Sequence, residues 1–205
     1  RIPDPVRLRD SYLSLSRATG RLHRLVEDLL DFRRMESGAN EFRMRRVDAA
    51  QSVRSVAEEF RKEVEERGFR VRVKMNANAW IQADEGALGR ALWNLLDNAV
   101  KYSGESRDID VSLDREASLV RISVADGGIG IPNAERPQLF TKFHRGLEAK
   151  RAGIPGTGIG LAMVARIAAA HGGSVSVSSE IGRGSAFTIC LPVEECDEQN
   201  SDSRG

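Results

Sequence analysis

Glycines at positions 153, 156, 158 and 160 run directly into the helical segment LAMVARIAAA, which stops at His171-Gly172-Gly173. The first N–H groups of a helix have no intrahelical partner, and the helix dipole favours negative charge beside them. A glycine-rich loop that feeds a helix start therefore suits an anion, and glycine lets the backbone approach a phosphate with no Cβ between them. The same pattern also describes a loop capping a core helix, and Gly-x-Gly-x-Gly alone is a weak signal. The choice depends on whether the remaining residues supply the other parts of a nucleotide site.

Bulk properties exclude several classes. Lys plus Arg number 31 and Asp plus Glu 30, so net charge gives no argument for nucleic acid or an acidic membrane. Cys190 lies in an apolar strand-like run and Cys196 in an acidic tail, neither with a CxxC partner or a histidine cluster nearby. A zinc site or disulfide framework is not expected, and a reducing compartment fits. No apolar run approaches 18 residues and no signal peptide is visible. The expected location is cytoplasmic, with any inner-membrane anchor of the parent protein supplied by segments upstream of Arg1.

Leucines at 8, 15, 22 and 29, with Ser11, Ala18, Leu25 and Phe32 in the second seam position, predict a long bundle or coiled-coil helix over 6–37. Such a stripe needs partner helices. From Glu41 the pattern changes. Phe42, Met44 and Val47 predict a first strand, and Asp48 an N-cap for a helix over 49–67 that Gly68 ends. Strict alternation at Phe69, Val71, Val73 and Met75 predicts a strand, followed by a short one over 79–82. Asp84 caps a helix over 85–102. Hairpin strands are expected at 109–113 and 119–124 around a turn at 114–118, and at 175–178 and 186–191 around Gly182-Arg183-Gly184. Residues 126–157 are too long for a plain connection and suit a lid. The expected organisation is an incomplete helical domain over 1–40, an α+β domain over 41–193 and an acidic tail over 194–205. The Rossmann and P-loop readings fail, since GTGIGL does not directly follow a strand and no Gly-Lys-Ser/Thr follows it.

Two further stretches carry chemistry. In the helix over 85–102, Leu88, Leu92, Leu95, Leu96 and Ala99 form the buried stripe, while Asn94, Asn98 and Lys101 share another face at i, i+4 and i+7. An amide oxygen is a good hard ligand for Mg2+, and a lysine neutralises phosphate charge; an ordinary wet helix face fits the same pattern. Next, the strand ending in Asp126 delivers a carboxylate that can accept from an exocyclic amine, and the glycines of DGGIG allow a flat base against bare backbone. A tight turn opened by Asp fits there too.

NLLDNAVKYS, DGGIGIP, LFTKFHRG, GTGIGLAM and GSAFTICLP occur in this order. Together they resemble the N, G1, F, G2 and G3 boxes of the ATP-binding catalytic domain of sensor histidine kinases, in the superfamily that also holds DNA gyrase and mismatch-repair ATPases. RLHRLVEDLLDFRRMESG is similar to the second helix of that family's dimerisation and phosphoacceptor domain. The resemblance implies a Bergerat-type α/β sandwich, a mixed sheet of about five strands with three helices on one face, preceded by the bundle helix.

It also implies site roles. Asn98 would hold Mg2+ between the phosphates of ATP, with Asn94 close by. Lys101 and Arg145 would contact phosphate oxygens, and Tyr102 would lie near the base or ribose. Asp126 would read the adenine amine, with Gly128 and Gly130 lining that pocket and Thr188 near the base. Gly156, Thr157, Gly158 and Gly160 would let a lid over 132–156, mobile when empty, fold over the triphosphate. Leu161 would begin the phosphate-facing helix, and Phe140 and Phe143 would anchor the lid.

The family moves the γ-phosphoryl group of ATP to a histidine and then to an aspartate of a response regulator, working as a homodimer through helices such as 6–37. Related ATPases that use water carry Glu, a general base, at the position of Asn94. The phosphoacceptor pattern His-Glu/Asp-x-x-x-Pro is absent, and His23, His144 and His171 stand outside it. The expectation is a fragment cut after the acceptor helix, which binds ATP without phosphorylating itself. Rival readings are a water-using ATPase, a serine kinase of the anti-anti-sigma type, and a nucleotide-binding scaffold.

Overall fold

The computed structural model describes Thr19, residues 42–151 and residues 153–194. The chain divides into two units, Arg1–Glu41 and Phe42–Gly205, and the account below concerns the second. The bundle helix expected over 6–37, with His23, and the tail beyond Glu194 lie outside the described residues, apart from Thr19.

The elements are β1 (Arg45–Asp48), α1 (Ala49–Val64), β2 (Arg70–Met75), β3 (Trp80–Ala83), α2 (Glu85–Tyr102), β4 (Asp108–Glu116), β5 (Leu119–Asp126), α3 (Leu147–Arg151), α4 (Gly160–Ala170), β6 (Ser174–Glu180) and β7 (Gly184–Pro192), with 3-10 turns at Glu65–Arg67 and Arg136–Gln138. Five strands form one sheet in the order β2-β4-β5-β7-β6. The β2–β4 pair is parallel and the others antiparallel. β1 and β3 make a separate antiparallel pair.

Period-2 alternation builds the core. Ile109, Val111 and Leu113 of β4, Val120, Ile122 and Val124 of β5, and Phe187, Ile189 and Leu191 of β7 are all buried. They face α1, α2 and α4. The other sheet face is polar, and Arg70 and Arg72 make bidentate pairs across strands with Asp108 and Asp110. α2 buries Leu88, Leu92, Leu95 and Leu96, each at most 2% exposed. It packs on the sheet between α1 and α4, which makes it the platform of the site.

Both predicted caps form. Asp48 Oδ1 accepts the N–H groups of Ala50 and Gln51 at 2.9 and 3.1 Å. α1 itself ends at Val64, one turn before the expected Arg67, because the chain tightens to 3-10 before the left-handed Gly68 (φ 75°). The first strand starts at Arg45 rather than Phe42. Phe42 instead sets its ring edge-on to His171, and the Arg43 N–H bonds to Asp84. The β4–β5 turn shrinks to Ala117-Ser118, with Ala117 at φ 52°, so both strands are longer than expected.

Asp84 caps α2 through Oδ1 to the Ala87 N–H (2.9 Å), and its Oδ2 accepts the Arg43 N–H (3.0 Å). Partial burial opposes the charge, but these two N–H groups, with the charge of Arg90, outweigh it and hold the carboxyl below its ordinary value of 3.8. A depressed acid stabilises the fold fully above 3.8 and loses that contribution as pH falls through the lower folded value. Asp84→Ala is expected to cost about 1–2 kcal/mol at neutral pH in urea unfolding, with the gap to wild type narrowing in acid.

Candidate functional site

Asp126 is the last residue of β5, on the helix-facing side of the sheet, and its register partner is Ser185 of β7. Its carboxylate accepts the backbone N–H groups of Gly128 (2.9 Å) and Ser185. Burial is the larger influence and pushes the Asp126 carboxyl up, while the two N–H groups oppose it. A half-buried acceptor that no cation pairs with among the described residues suits a ligand amine.

The run after Asp126 lies directly on the C-terminal turn of α2. The Ile129 N–H donates to the Tyr102 carbonyl at 3.1 Å, and a Cβ on Gly128 would fall 1.9 Å from that same oxygen. A Cβ on Gly130 would fall 2.1 Å from the Glu180 carbonyl oxygen. Both glycines are thus required by the packing of protein on protein. Their packing brings the end of α2 against Asp126.

Along α2, Asn94 Nδ2 donates to the Arg90 carbonyl (3.0 Å) and approaches the Met163 sulfur (3.6 Å), tying α2 to α4. Its Oδ1 faces Gly160, where a Cβ would come within 2.8 Å. Asn98 is half-buried, and no hydrogen bond joins its amide to the other described residues. An amide oxygen left unsatisfied in this position fits a hard cation that takes its remaining ligands from phosphate and water. Lys101 pairs with Asp97 one turn earlier, and both remain partly exposed.

The lid residues approach the same end of α2. Burial raises the Tyr102 hydroxyl pKa, and the Arg145 charge acts against that rise. Gly156 lies beside the hydroxyl, at 3.9 Å from where its Cβ would be. Arg145 donates to the Ile154 carbonyl. Gly158 (φ 73°) accepts the Phe143 N–H at 2.9 Å, and Thr157 Oγ1 accepts the Ile159 N–H at 3.1 Å. Among the described residues no side chain caps the start of α4, so its first N–H groups suit an anion, with Leu161 in that first turn.

Two sequence expectations are corrected. Thr188 does not join the site: it alternates with the core-facing Phe187 and Ile189, and its hydroxyl bonds Ser123 at 2.7 Å on the polar sheet face. The residue that reaches Asp126 from β7 is Ser185, three positions earlier, which the sequence reading missed. Phe143 does not anchor the lid by packing, since it is 65% exposed at φ 60° and held through its backbone. Phe140 does pack, edge-on against Phe187 with ring centroids 6.4 Å apart. α3, inside the expected lid, was also missed; among the described residues its five positions carry too short a pattern to stand out.

A sheet covered on one face by three helices, with a half-buried strand-end carboxylate and an uncapped helix start across from asparagines, defines a nucleotide-binding α/β sandwich. The chain belongs to the family of histidine kinase-, DNA gyrase B-, and HSP90-like ATPases, whose model matches residues 83–195. It is 31% identical over 186 residues to the sensor histidine kinase WalK of Bacillus subtilis, across 90% of this chain and 30% of that protein. It is 38% identical over 124 residues to the sensor-like histidine kinase SenX3 of Mycolicibacterium smegmatis, across 60% of this chain and 32% of that protein. Among solved structures, full-length ShkA in complex with AMPPNP shares 33% identity at a TM-score of 0.77, covering 91% of this chain and 39% of that one. The mycobacterial sensor histidine kinase MprB shares 28% at 0.64, covering 75% of this chain and 99% of that one. The chain thus spans about a third of the length of these curated relatives. No helix among the described residues is long and apolar enough to cross a membrane.

Proposed function

We propose that this chain is the ATP-binding catalytic part of a two-component sensor histidine kinase, which transfers the γ-phosphoryl group of ATP to a histidine on a separate helix and thence to a response-regulator aspartate. The observation that carries this reading is Asn94. It stands at the start of α4 with its oxygen toward Gly160 and its nitrogen committed to Arg90 and Met163. An amide there cannot take a proton from water, so the site is arranged to hold ATP for an incoming nucleophile. In phosphoryl transfer most of the work is positioning and charge neutralisation.

On this reading Asp126 accepts the adenine amine, Tyr102 closes on the base or ribose, and the first N–H groups of α4 hold phosphate oxygens. Arg145 and Lys101 supply positive charge as the lid closes, Lys101 by leaving Asp97. Asn98 would hold Mg2+, which neutralises phosphate charge when bound. The homodimer through 6–37 and the cytoplasmic location belong to the same proposal.

Mixing the chain with a supplied acceptor helix domain and γ-labelled ATP tests it. The expected result is an acid-labile, base-stable phosphoprotein on the acceptor, with little phosphate released in its absence. Equal phosphate release with and without acceptor, and no phosphohistidine at any ratio, would overturn the kinase reading in favour of a water-using ATPase.

A further inference from the structure

His171 ends α4 and is 5% exposed. Its Nδ1 lies 2.7 Å from the Ile167 carbonyl oxygen, which only accepts, so Nδ1 carries the hydrogen. Its Nε2 lies 2.9 Å from the Asp84 backbone nitrogen, whose N–H only donates, so Nε2 is bare. The ring is therefore fixed in orientation, donating through Nδ1 and accepting through Nε2.

Capping alone does not account for this residue. The His171 N–H already reaches the Ile167 carbonyl at 3.1 Å, and the N–H groups of Gly172 and Gly173 bond the Ala169 and Ala168 carbonyls at 3.1 and 2.9 Å. The end of α4 is closed by backbone without the imidazole. What the side chain adds is an acceptor for Asp84 and a face for Phe42, whose ring meets it edge-on at 5.4 Å. Asp84 in turn caps α2 and holds the Arg43 N–H. One imidazole thus joins the last turn of α4, the first turn of α2, and the two residues by which the preceding chain enters this unit.

α2 and α4 also carry the nucleotide site, which lies further along both helices. Asn94 is ten residues beyond Asp84, roughly 15 Å along α2, and it meets α4 at Gly160 and Met163. The two helices are therefore tied at two levels, His171 with Asp84 and Asn94 with Met163. Helices packed at such density move as rigid bodies, so a shift at the first tie changes the spacing at the second.

We propose that His171 is a positioning residue that sets the separation of the α4 start from Asn94 and Asn98, and that passes the placement of the entering Phe42-Arg43 segment to the nucleotide site. The proposal rests on the nucleotide reading above.

Arg43→Pro tests it without touching the site, because it deletes the N–H given to Asp84. Arg43 is the centre of a γ-turn, Met44 N–H to Phe42 carbonyl at 2.9 Å, and its φ is not positive, so the proline backbone angle is allowed there, while the ring Cδ takes the place of the hydrogen aimed at Asp84 Oδ2 and displaces that carboxylate as well as removing its donor. In calorimetry of the full chain with AMPPNP and Mg2+, Arg43→Pro and His171→Phe are each expected to weaken binding about threefold to tenfold while cooperative melting is kept. The double variant is expected to bind no more weakly than the worse single one, and His171→Gln, which restores an acceptor, to return within about twofold of wild type. Wild-type affinity in a folded Arg43→Pro chain overturns the proposal, as do single effects that multiply in the double variant. If His171→Phe does not fold, Arg43→Pro alone decides by the same threshold. Failure of the wild type itself to bind AMPPNP would instead overturn the nucleotide reading.

Discussion

Asp126→Asn is expected to weaken adenine-nucleotide binding by about 1.5–3 kcal/mol, roughly 10- to 150-fold, because a charge-assisted hydrogen bond to the exocyclic amine is lost. The empty protein should become no less stable, and the two outcomes have one cause. Burial disfavours the Asp126 charge, and only the N–H groups of Gly128 and Ser185 act against it. Removing the charge relieves that cost while the amide oxygen still accepts from the backbone. The pH dependence follows. The native carboxyl titrates above its ordinary value of 3.8, so the native state takes up this proton before the unfolded chain does. As pH rises through the window between the two values, this group lowers stability. As pH falls through the raised native value, the acceptor for the amine is lost. Wild-type affinity should therefore drop on acidification by more than that of Asp126→Asn, with the variant serving to cancel titration of the nucleotide. Unchanged affinity in calorimetry at neutral pH would remove Asp126 from the adenine role.

Gly128→Ala is expected to be among the most damaging single-methyl changes near the site. The added Cβ would meet the Tyr102 carbonyl oxygen at 1.9 Å and its carbon at 2.7 Å. Both are backbone atoms of a packed helix, so no rotamer change relieves the clash, and α2 has to separate from the run after Asp126. A loss of about 3 kcal/mol or more is expected, lowering the melting temperature by roughly 6–12 °C, together with loss of nucleotide binding. Gly127→Ala is the control. Its Cβ would meet only the Ser106 side chain, at 3.0 Å from Oγ, and a hydroxyl can rotate. Equal melting temperatures for the two variants would show that α2 and the run after Asp126 are not clamped at Gly128.

Much of the fold was legible in the residues because its signals are local. Alternation at Ile109, Val111 and Leu113, and again at Val120, Ile122 and Val124, specifies which strand faces are buried. Asp48 and Asp84 mark helix starts by chemistry that acts within three residues. Asn94 and Asn98 share a helix face by spacing alone, and the order of five motifs pointed to the family that the match over residues 83–195 shows.

The remaining features depend on contacts between distant parts of the chain. Ser185, and not Thr188, lies opposite Asp126 because β5 pairs with β7 in one register, and both residues sit in the same local run. The glycines after Asp126 are locally a turn or room for a ligand, and only the packing shows that the Tyr102 carbonyl crowds Gly128 and the Glu180 carbonyl crowds Gly130. Phe143 has the hydrophobicity of an anchor, yet its backbone bond to Gly158 leaves the ring in solvent. His171 is read locally as a helix-end residue. Its link to Asp84, 87 positions earlier, exists only once α2 and α4 are packed together. Periodicity and capping are short-range and survive in a single sequence. Strand register, close backbone approach and side-chain bridges are set by packing across the chain, and in this protein they decide where the site residues meet.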